Sequence, residues 1–188
     1  MLALTREKLV AHLQLLPPLI DRYQRRDPSF PEKAVAWLTE VERSLLQVRS
    51  PLASLVTVSR GRIQAVSDGY RDPTITTERR SKRRSGAATV LLILGHVEAH
   101  LRERVNDLDA KLDGWRDKMA EFIAVATSNG TTLPPPSEPR EAWLQTIWKS
   151  FNVSGENQTK YNYLNATMSR FDRLYILNGL LENFLNGG

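Results

Sequence analysis

The chain contains no cysteine and only three histidines among its 188 residues. The absence of cysteine excludes disulfide scaffolds, cysteine-ligated zinc, iron–sulfur clusters and thiol nucleophiles. With so few histidines, most histidine-based metal chemistry is excluded as well. Aromatic residues make up only 7% of the chain, and its apolar fraction is an ordinary 41%. We therefore expect a soluble protein that needs no metal and no cofactor.

Long apolar segments are also missing. The longest near-continuous apolar run, residues 87–97, is about half the length of a membrane span. At the N-terminus the charges of Arg6 and Lys8 follow the first apolar residues, and Pro17-Pro18 interrupts the next apolar stretch, which is not the layout of a secretory signal. We expect a cytoplasmic protein with no membrane partner.

Charge is unevenly distributed along the chain. The formal net charge is +5, with residues 1–90 at +7 and residues 91–188 at −2. Of the 26 cationic residues 19 are arginine, whose planar guanidinium matches phosphate and carboxylate groups. An arginine-rich half suggests a polyanionic or acidic partner.

Helix signals dominate, and no alternating strand pattern is present. Apolar residues recur at intervals of three and four along six segments, which predicts an all-α bundle of about six helices. The first segment begins after Thr5 and is kinked or restarted at Pro17-Pro18. The second begins at the apparent capping box Ser29-Phe30-Pro31-Glu32. The last runs from about Tyr161 to Leu185 without a predicted break.

The fourth segment is predicted to be one long central helix, from residue 86 or earlier to about residue 127. Its apolar residues form a heptad seam over more than four heptads, typical of a coiled coil or a bundle. Residues 87–97 are apolar on nearly all sides, which predicts burial by several neighbours. The seam consists of Leu91, Leu94, Leu101, Val105, Leu108, Leu112, Trp115, Met119 and Phe122, with Glu98 as its one polar member. Its flanking charges would meet like charges in a parallel self-pair, so we favour antiparallel packing against the chain's own helices.

The clearest loop runs from Asn129-Gly130 to Pro134-Pro135-Pro136. It separates two predicted regions: 1–128, an N-terminal helical bundle that includes the long helix, and 137–188, a C-terminal helical pair. We expect both to pack on the same core as one domain.

A basic run precedes or opens the long helix, with five cations in six residues. These are Arg79, Arg80, Lys82, Arg83 and Arg84, and Arg60 and Arg62 lie near them in sequence. Such a concentration of cations predicts a phosphate-binding patch. No aromatic residues interleave with the run, so stacking on single-stranded bases is not indicated.

Two other patterns carry weaker signals. His96, His100, Glu103 and Asp107 share one helical stripe, but this is the face away from the seam and we interpret it as a solvated polar surface. Arg6 and His12 have the loose arginine–histidine spacing found in HEPN-type ribonucleases, which are all-helical, although a chance match is expected in a chain this rich in arginine. Arg173 and Asn178 repeat that spacing with an asparagine that cannot act as acid or base.

We therefore predict a non-enzymatic accessory or adaptor subunit of a nucleoprotein assembly. It would contact DNA or RNA phosphates without reading sequence, and no small-molecule substrate is evident. The first alternative is a protein–protein adaptor whose basic run meets an acidic partner. The second is a helical ribonuclease or toxin of the HEPN type.

Overall fold

The fold is entirely helical over the residues that the structure describes. This computed structural model describes the backbone of residues 1–70, 82–152 and 156–186, and their side chains apart from 82–85, 156 and 183–186. Within these ranges there is no strand, so the predicted all-α class is confirmed. Eight helices are present in the same ranges: α1 (Leu2–Gln14), α2 (Leu16–Gln24), α3 (Phe30–Gln47), α4 (Leu52–Ser67), α5 (Lys82–Ser128), α6 (Arg140–Ser150), α7 (Glu156–Thr167) and α8 (Arg170–Asn186).

There are more helices than the predicted six because two predicted segments are each divided. Pro17 and Pro18 lie in the first turn of α2, where a missing N–H costs nothing, so the prolines restart the helix. The second division lies between α7 and α8. There the backbone N–H of Asp172 donates to Ser169 Oγ at 3.1 Å, which starts a new helix.

Two helix starts differ from prediction. Helix α1 begins at Leu2 rather than after Thr5, because the Asp172 carboxylate accepts hydrogen bonds from the backbone N–H groups of Leu2 and Ala3, both at 2.9 Å. The Ser29 side chain makes no capping bond to α3. Its hydroxyl instead donates to Asp27 Oδ1 at 2.8 Å, so the predicted capping box is wrong.

Helix α5 is the predicted long helix. Its 47 residues correspond to roughly 70 Å at 1.5 Å per residue. The seam faces the interior, with Leu94, Leu108 and Phe122 each at most 1% exposed. The 87–97 segment is not buried on all sides, since Leu92 is 56% exposed. A coiled-coil geometry for the seam stays a prediction.

Contacts divide the chain into two compact units. The N-terminal unit is Thr5–Asn106, and the C-terminal unit combines Met1–Leu4 with Asp107–Gly188. The predicted regions have other boundaries, and the packing of residues 1–128 and 137–188 on one core stays a prediction.

The core of the N-terminal unit is mainly aliphatic and also contains Phe30, which is 1% exposed. Helix α3 packs against both α2 and α4. Its core positions follow the three-to-four spacing that places residues on one helical face. Across α1 to α4, the fully buried aliphatic residues include Leu9, Leu16, Ala34, Leu38, Val41, Leu45, Val56 and Ile63.

The core of the C-terminal unit contains a cluster of aromatic rings among aliphatic side chains. The ring of Phe122 on α5 lies 5.8 Å from that of Trp148 and 5.5 Å from that of Phe151, measured between centroids. Trp148 also stacks on Tyr161 of α7 at 5.0 Å. Helix α8 packs on α6 and contributes Ile176 and Leu177 to the aliphatic part of this core.

Candidate nucleic-acid interface

The predicted phosphate-binding residues lie at and before the start of α5. Arg79 and Arg80 lie outside the described residues. Lys82, Arg83 and Arg84 form the first turn of α5, which contains no acidic residue. In sequence, no aspartate or glutamate occurs between Glu78 and Glu98. Between Arg79 and Val97 the sequence itself therefore supplies no acidic residue to offset these cations.

Helix α4 ends beside the beginning of α5. A methyl group on Gly86 would lie 3.6 Å from Cγ1 of Val66, so the second turn of α5 contacts the last turn of α4. Arg62 precedes Val66 by four residues and therefore lies one turn earlier on the same face of α4. This placement brings Arg62 to the side of α4 that faces α5.

Arg60 lies on a different side of α4 and is already paired. Its Nε lies 2.9 Å from Glu42 Oε2 on α3, and the other oxygen of that carboxylate accepts a 2.6 Å bond from the Thr57 hydroxyl. The Thr57 hydrogen bond and, secondarily, Arg60 outweigh partial burial and lower the pKa of Glu42. Arg60 thus joins α3 to α4, and a phosphate would have to compete with Glu42 for it.

The histidine stripe on α5 does not bring metal ligands together. The rings of His96 and His100 contact each other with centroids 4.4 Å apart, and His100 Nδ1 lies 2.9 Å from the His96 carbonyl oxygen. Across the described parts of the chain, no three histidine, aspartate or glutamate residues cluster so as to hold a metal ion.

His12, Arg173 and Asn178, which belong to the two spacings of the ribonuclease type, make contacts within the fold. His12 Nε2 lies 2.8 Å from Ser44 Oγ on α3, and the His12 carbonyl accepts a 3.0 Å bond from the Trp37 indole. Arg173 donates to Asn165. Asn178 instead accepts a 2.8 Å bond from Arg140 Nε. Arg173 and Asn178 are therefore hydrogen-bonded to different residues.

The environment of His12 predicts a pH dependence of stability. Its Nδ1 is buried without a hydrogen-bond partner in the described structure. Burial lowers the pKa of His12 below 6.5, although Glu40 opposes this effect. The folded state therefore binds fewer protons than the unfolded state just below pH 6.5. Stability is full above about pH 6.5 and decreases as the pH falls toward the folded pKa, by at most about 1.4 kcal/mol per pH unit.

Urea unfolding across this pH window tests the prediction. We expect the free energy of unfolding of His12→Gln to depend less on pH than that of the wild type between about pH 6.5 and 5. Parallel pH profiles for the two proteins would show that another group is responsible.

Comparisons with known proteins identify no relative: no family model, no curated protein and no solved structure matches this chain. Over the described residues, no helix combines the length and the apolar character needed to cross a membrane.

Proposed function

We propose that the protein is a non-enzymatic, cytoplasmic accessory subunit of a nucleoprotein assembly, and that its basic run contacts nucleic-acid phosphates. The observation that carries the proposal is the charge pattern at the start of α5. Five cations occur in six residues, α5 begins within them, and no carboxylate follows until Glu98. The phosphate-binding residues would be Arg79, Arg80, Lys82, Arg83 and Arg84.

Helix stability does not account for this charge. The N-terminal end of a helix carries a partial positive charge, so cations in the first turn are unfavourable and acidic residues are favoured there. Helix α5 has Lys82, Arg83 and Arg84 in that turn and no acid. A polyanionic ligand would reverse the unfavourable interaction, because its phosphates meet both the side chains and the helix terminus.

Arg62 and Arg60 lie on different sides of α4. Arg62 is one turn before Val66, the residue that the second turn of α5 approaches at Gly86. Arg60 is held by Glu42 at 2.9 Å, with which a phosphate would have to compete. We therefore assign the main contacts to the basic run and only supporting contacts to Arg62 and Arg60.

The proposed contacts position the protein on a polymer without reading its sequence. Arginine and lysine contacts to phosphates carry no direct sequence information. Base stacking would need aromatic side chains near the run, and none interleaves with it. Duplex and single-stranded polymers are therefore both candidate ligands. We expect the affinity for a duplex to depend more steeply on salt than the affinity for a single strand.

The test is fluorescence anisotropy with labelled duplex DNA, single-stranded DNA and RNA at low and moderate salt. Neutralising about five phosphates predicts that a fourfold rise in salt weakens binding roughly 500-fold for a duplex and roughly 100-fold for a single strand. Changing all five cations of the run to glutamine should remove most of this affinity and flatten the salt dependence.

A matched variant controls for net charge. Five cations elsewhere have exposed side chains that make no hydrogen bond or ion pair among the described residues: Arg25, Lys33, Arg49, Lys111 and Lys149. Changing these to glutamine alters the net charge equally, and we expect a much smaller loss of affinity. If wild type binds none of the three polymers at low salt, or if both variants lose affinity equally, the proposal is wrong. An acidic protein would then be the partner to seek.

A further inference from the structure

Arg173 occupies an unusual position in the C-terminal unit, where α6, α7 and α8 meet. Its guanidinium carbon lies 4.9 Å from the centre of the Trp148 indole. Its Nη1 donates a hydrogen bond to Asn165 Oδ1. The same oxygen accepts a 3.1 Å bond from Trp148 Nε1. The guanidinium is therefore oriented by a neutral amide and an aromatic face.

Arg173 differs from several other cations of this unit, which are paired with carboxylates. Several exposed or half-exposed cations have carboxylate partners: Arg116 with Asp113 at 2.9 Å, Lys160 with Glu121 at 2.9 Å, Arg170 with Glu141 at 2.7 Å and Arg140 with Glu182 at 3.7 Å. Arg173 is only partly exposed, yet it forms no ion pair with any carboxylate of the described residues. Buried charges normally need a counter-ion more than exposed ones do.

Asp172, which precedes Arg173 in the chain, and Glu141, which pairs with Arg170, both have other partners. Asp172 accepts bonds from the N–H groups of Leu2 and Ala3 and from the Ser169 hydroxyl at 2.6 Å. Glu141 is shared between Arg170 and the Gln145 amide, the latter at 3.0 Å. The fold therefore leaves the charge of Arg173 without a protein counter-ion among the described residues.

Part of the guanidinium remains available to a ligand. Nε is buried without a partner, and Nη1 is occupied by Asn165. Nη2 makes no hydrogen bond within the described structure, and it is not among the buried unpartnered atoms. Burial lowers the pKa of Arg173, with Tyr161 opposing and Arg170 adding to the effect. An arginine stays protonated all the same, so the positive charge persists.

We propose that Arg173 is the central residue of an oxyanion site that binds phosphate, with Asn165 and Trp148 holding its guanidinium in place. The guanidinium would donate from Nη2 to a phosphate oxygen, and the anion would supply the missing counter-charge. This site goes beyond the proposed function, because it lies in the C-terminal unit and does not depend on the basic run. The phosphate belongs either to a free small molecule or to a nucleic-acid backbone.

The first test titrates inorganic phosphate at constant ionic strength, balanced with sodium chloride, and follows tryptophan fluorescence. Since the guanidinium lies over Trp148, we expect a saturable change in emission for the wild type. Loss of a charged hydrogen bond predicts a dissociation constant at least roughly tenfold higher for Arg173→Gln. Arg173→Lys keeps the charge without the planar fork, and it provides the measurement if Arg173→Gln does not fold.

Two further variants separate the site from general effects. Arg170→Gln removes a neighbouring cation whose side chain is 63% exposed, and its dissociation constant should rise only about twofold. Trp148→Phe should lose the optical signal, and phosphate should raise the midpoint of urea unfolding by less than in the wild type, because the bond from Trp148 that holds Asn165 is lost. The variant with the basic run changed to glutamine should bind phosphate like the wild type, which keeps this inference separate from the proposed function.

Competition with an unlabelled oligonucleotide then identifies the source of the phosphate. Displacement of inorganic phosphate assigns the site to the nucleic-acid backbone, and its absence assigns the site to a free phosphate or a phosphorylated small molecule. The proposal is overturned if the wild type shows no saturable change up to about 50 mM phosphate, or if Arg173→Gln titrates like the wild type. Arg173 would then serve only to hold α6, α7 and α8 together.

Discussion

Replacing Asp172 with alanine is expected to lower the free energy of unfolding by roughly 3–5 kcal/mol. The side chain is 1% exposed and joins the starts of two helices. Its carboxylate accepts hydrogen bonds from Leu2 and Ala3 of α1, each at 2.9 Å, and from Ser169 at the start of α8 at 2.6 Å. Alanine would leave these donors without their charged acceptor. Because the three bonds share one carboxylate, their energies are not additive.

Asp172→Asn tests how much the negative charge of this side chain contributes to the free energy of unfolding. The amide keeps the shape of the side chain but places an NH₂ group where one oxygen accepted a bond. We expect a loss of about 2–3 kcal/mol at neutral pH, less than for alanine. Burial alone would raise the pKa of Asp172, but the hydrogen bonds from Ser169, Ala3 and Leu2 lower it below its ordinary value. The stabilisation is therefore complete above about pH 4 and is lost as the pH falls through the folded pKa.

Urea unfolding followed by circular dichroism measures both effects. Asp117→Ala is the matched control, because Asp117 is exposed on α5 and has no partner among the described residues. That change should alter the free energy of unfolding by less than about 0.5 kcal/mol. If Asp172→Ala were as mild as the control, the carboxylate would not stabilise the two helix starts.

The helices and their buried faces could be predicted because both depend on local spacing. Leu94, Leu108 and Phe122 recur at multiples of seven, and all three are buried as predicted. The same spacing does not show how many neighbours a helix has. Leu92 lies in an almost wholly apolar segment and is nevertheless 56% exposed, because no described element covers that side of α5.

Helix starts were harder to predict because side chains compete for the same backbone groups. Ser29 and Glu32 have capping-box spacing, but Asp27 takes the Ser29 hydroxyl. Ser169 and Asp172 have a similar spacing and do start α8, a local signal that is present in the sequence. The start of α1 at Leu2 had no local signal, because its acceptor is 170 residues away.

The candidate sites show the same contrast between local and distant information. The basic run is visible in the sequence because its five cations are contiguous. The pairing of Arg60 with Glu42 is not, since it requires α3 and α4 to pack together. In the sequence, Arg173 stands out only by its spacing to Asn178. Its position over Trp148, beside Asn165, depends on the packing of three helices.

Phe122→Ala is expected to have an effect as large as that of Asp172→Ala, at about 4 kcal/mol. Phe122 is 1% exposed and contacts three other aromatic rings of the C-terminal unit. Its centroid lies 5.8 Å from Trp148, 5.5 Å from Phe151 and 6.5 Å from Tyr161. Alanine would remove the packing of one large side chain and also these ring–ring interactions, each worth about 0.5–1.5 kcal/mol.

Two further variants show whether the shape of the aromatic core matters. Phe122→Leu keeps most of the apolar volume but not the ring, so we expect a loss of about 1–2 kcal/mol. Tyr175→Ala removes a ring that stacks on Phe171 at the surface and is itself 40% exposed, and we expect a loss below about 1 kcal/mol. Near-ultraviolet circular dichroism should lose intensity for Phe122→Ala, because Trp148 and Tyr161 lose a fixed neighbour. If Phe122→Ala and Tyr175→Ala were equally mild, these rings would not form the close-packed core from which the large expected loss follows.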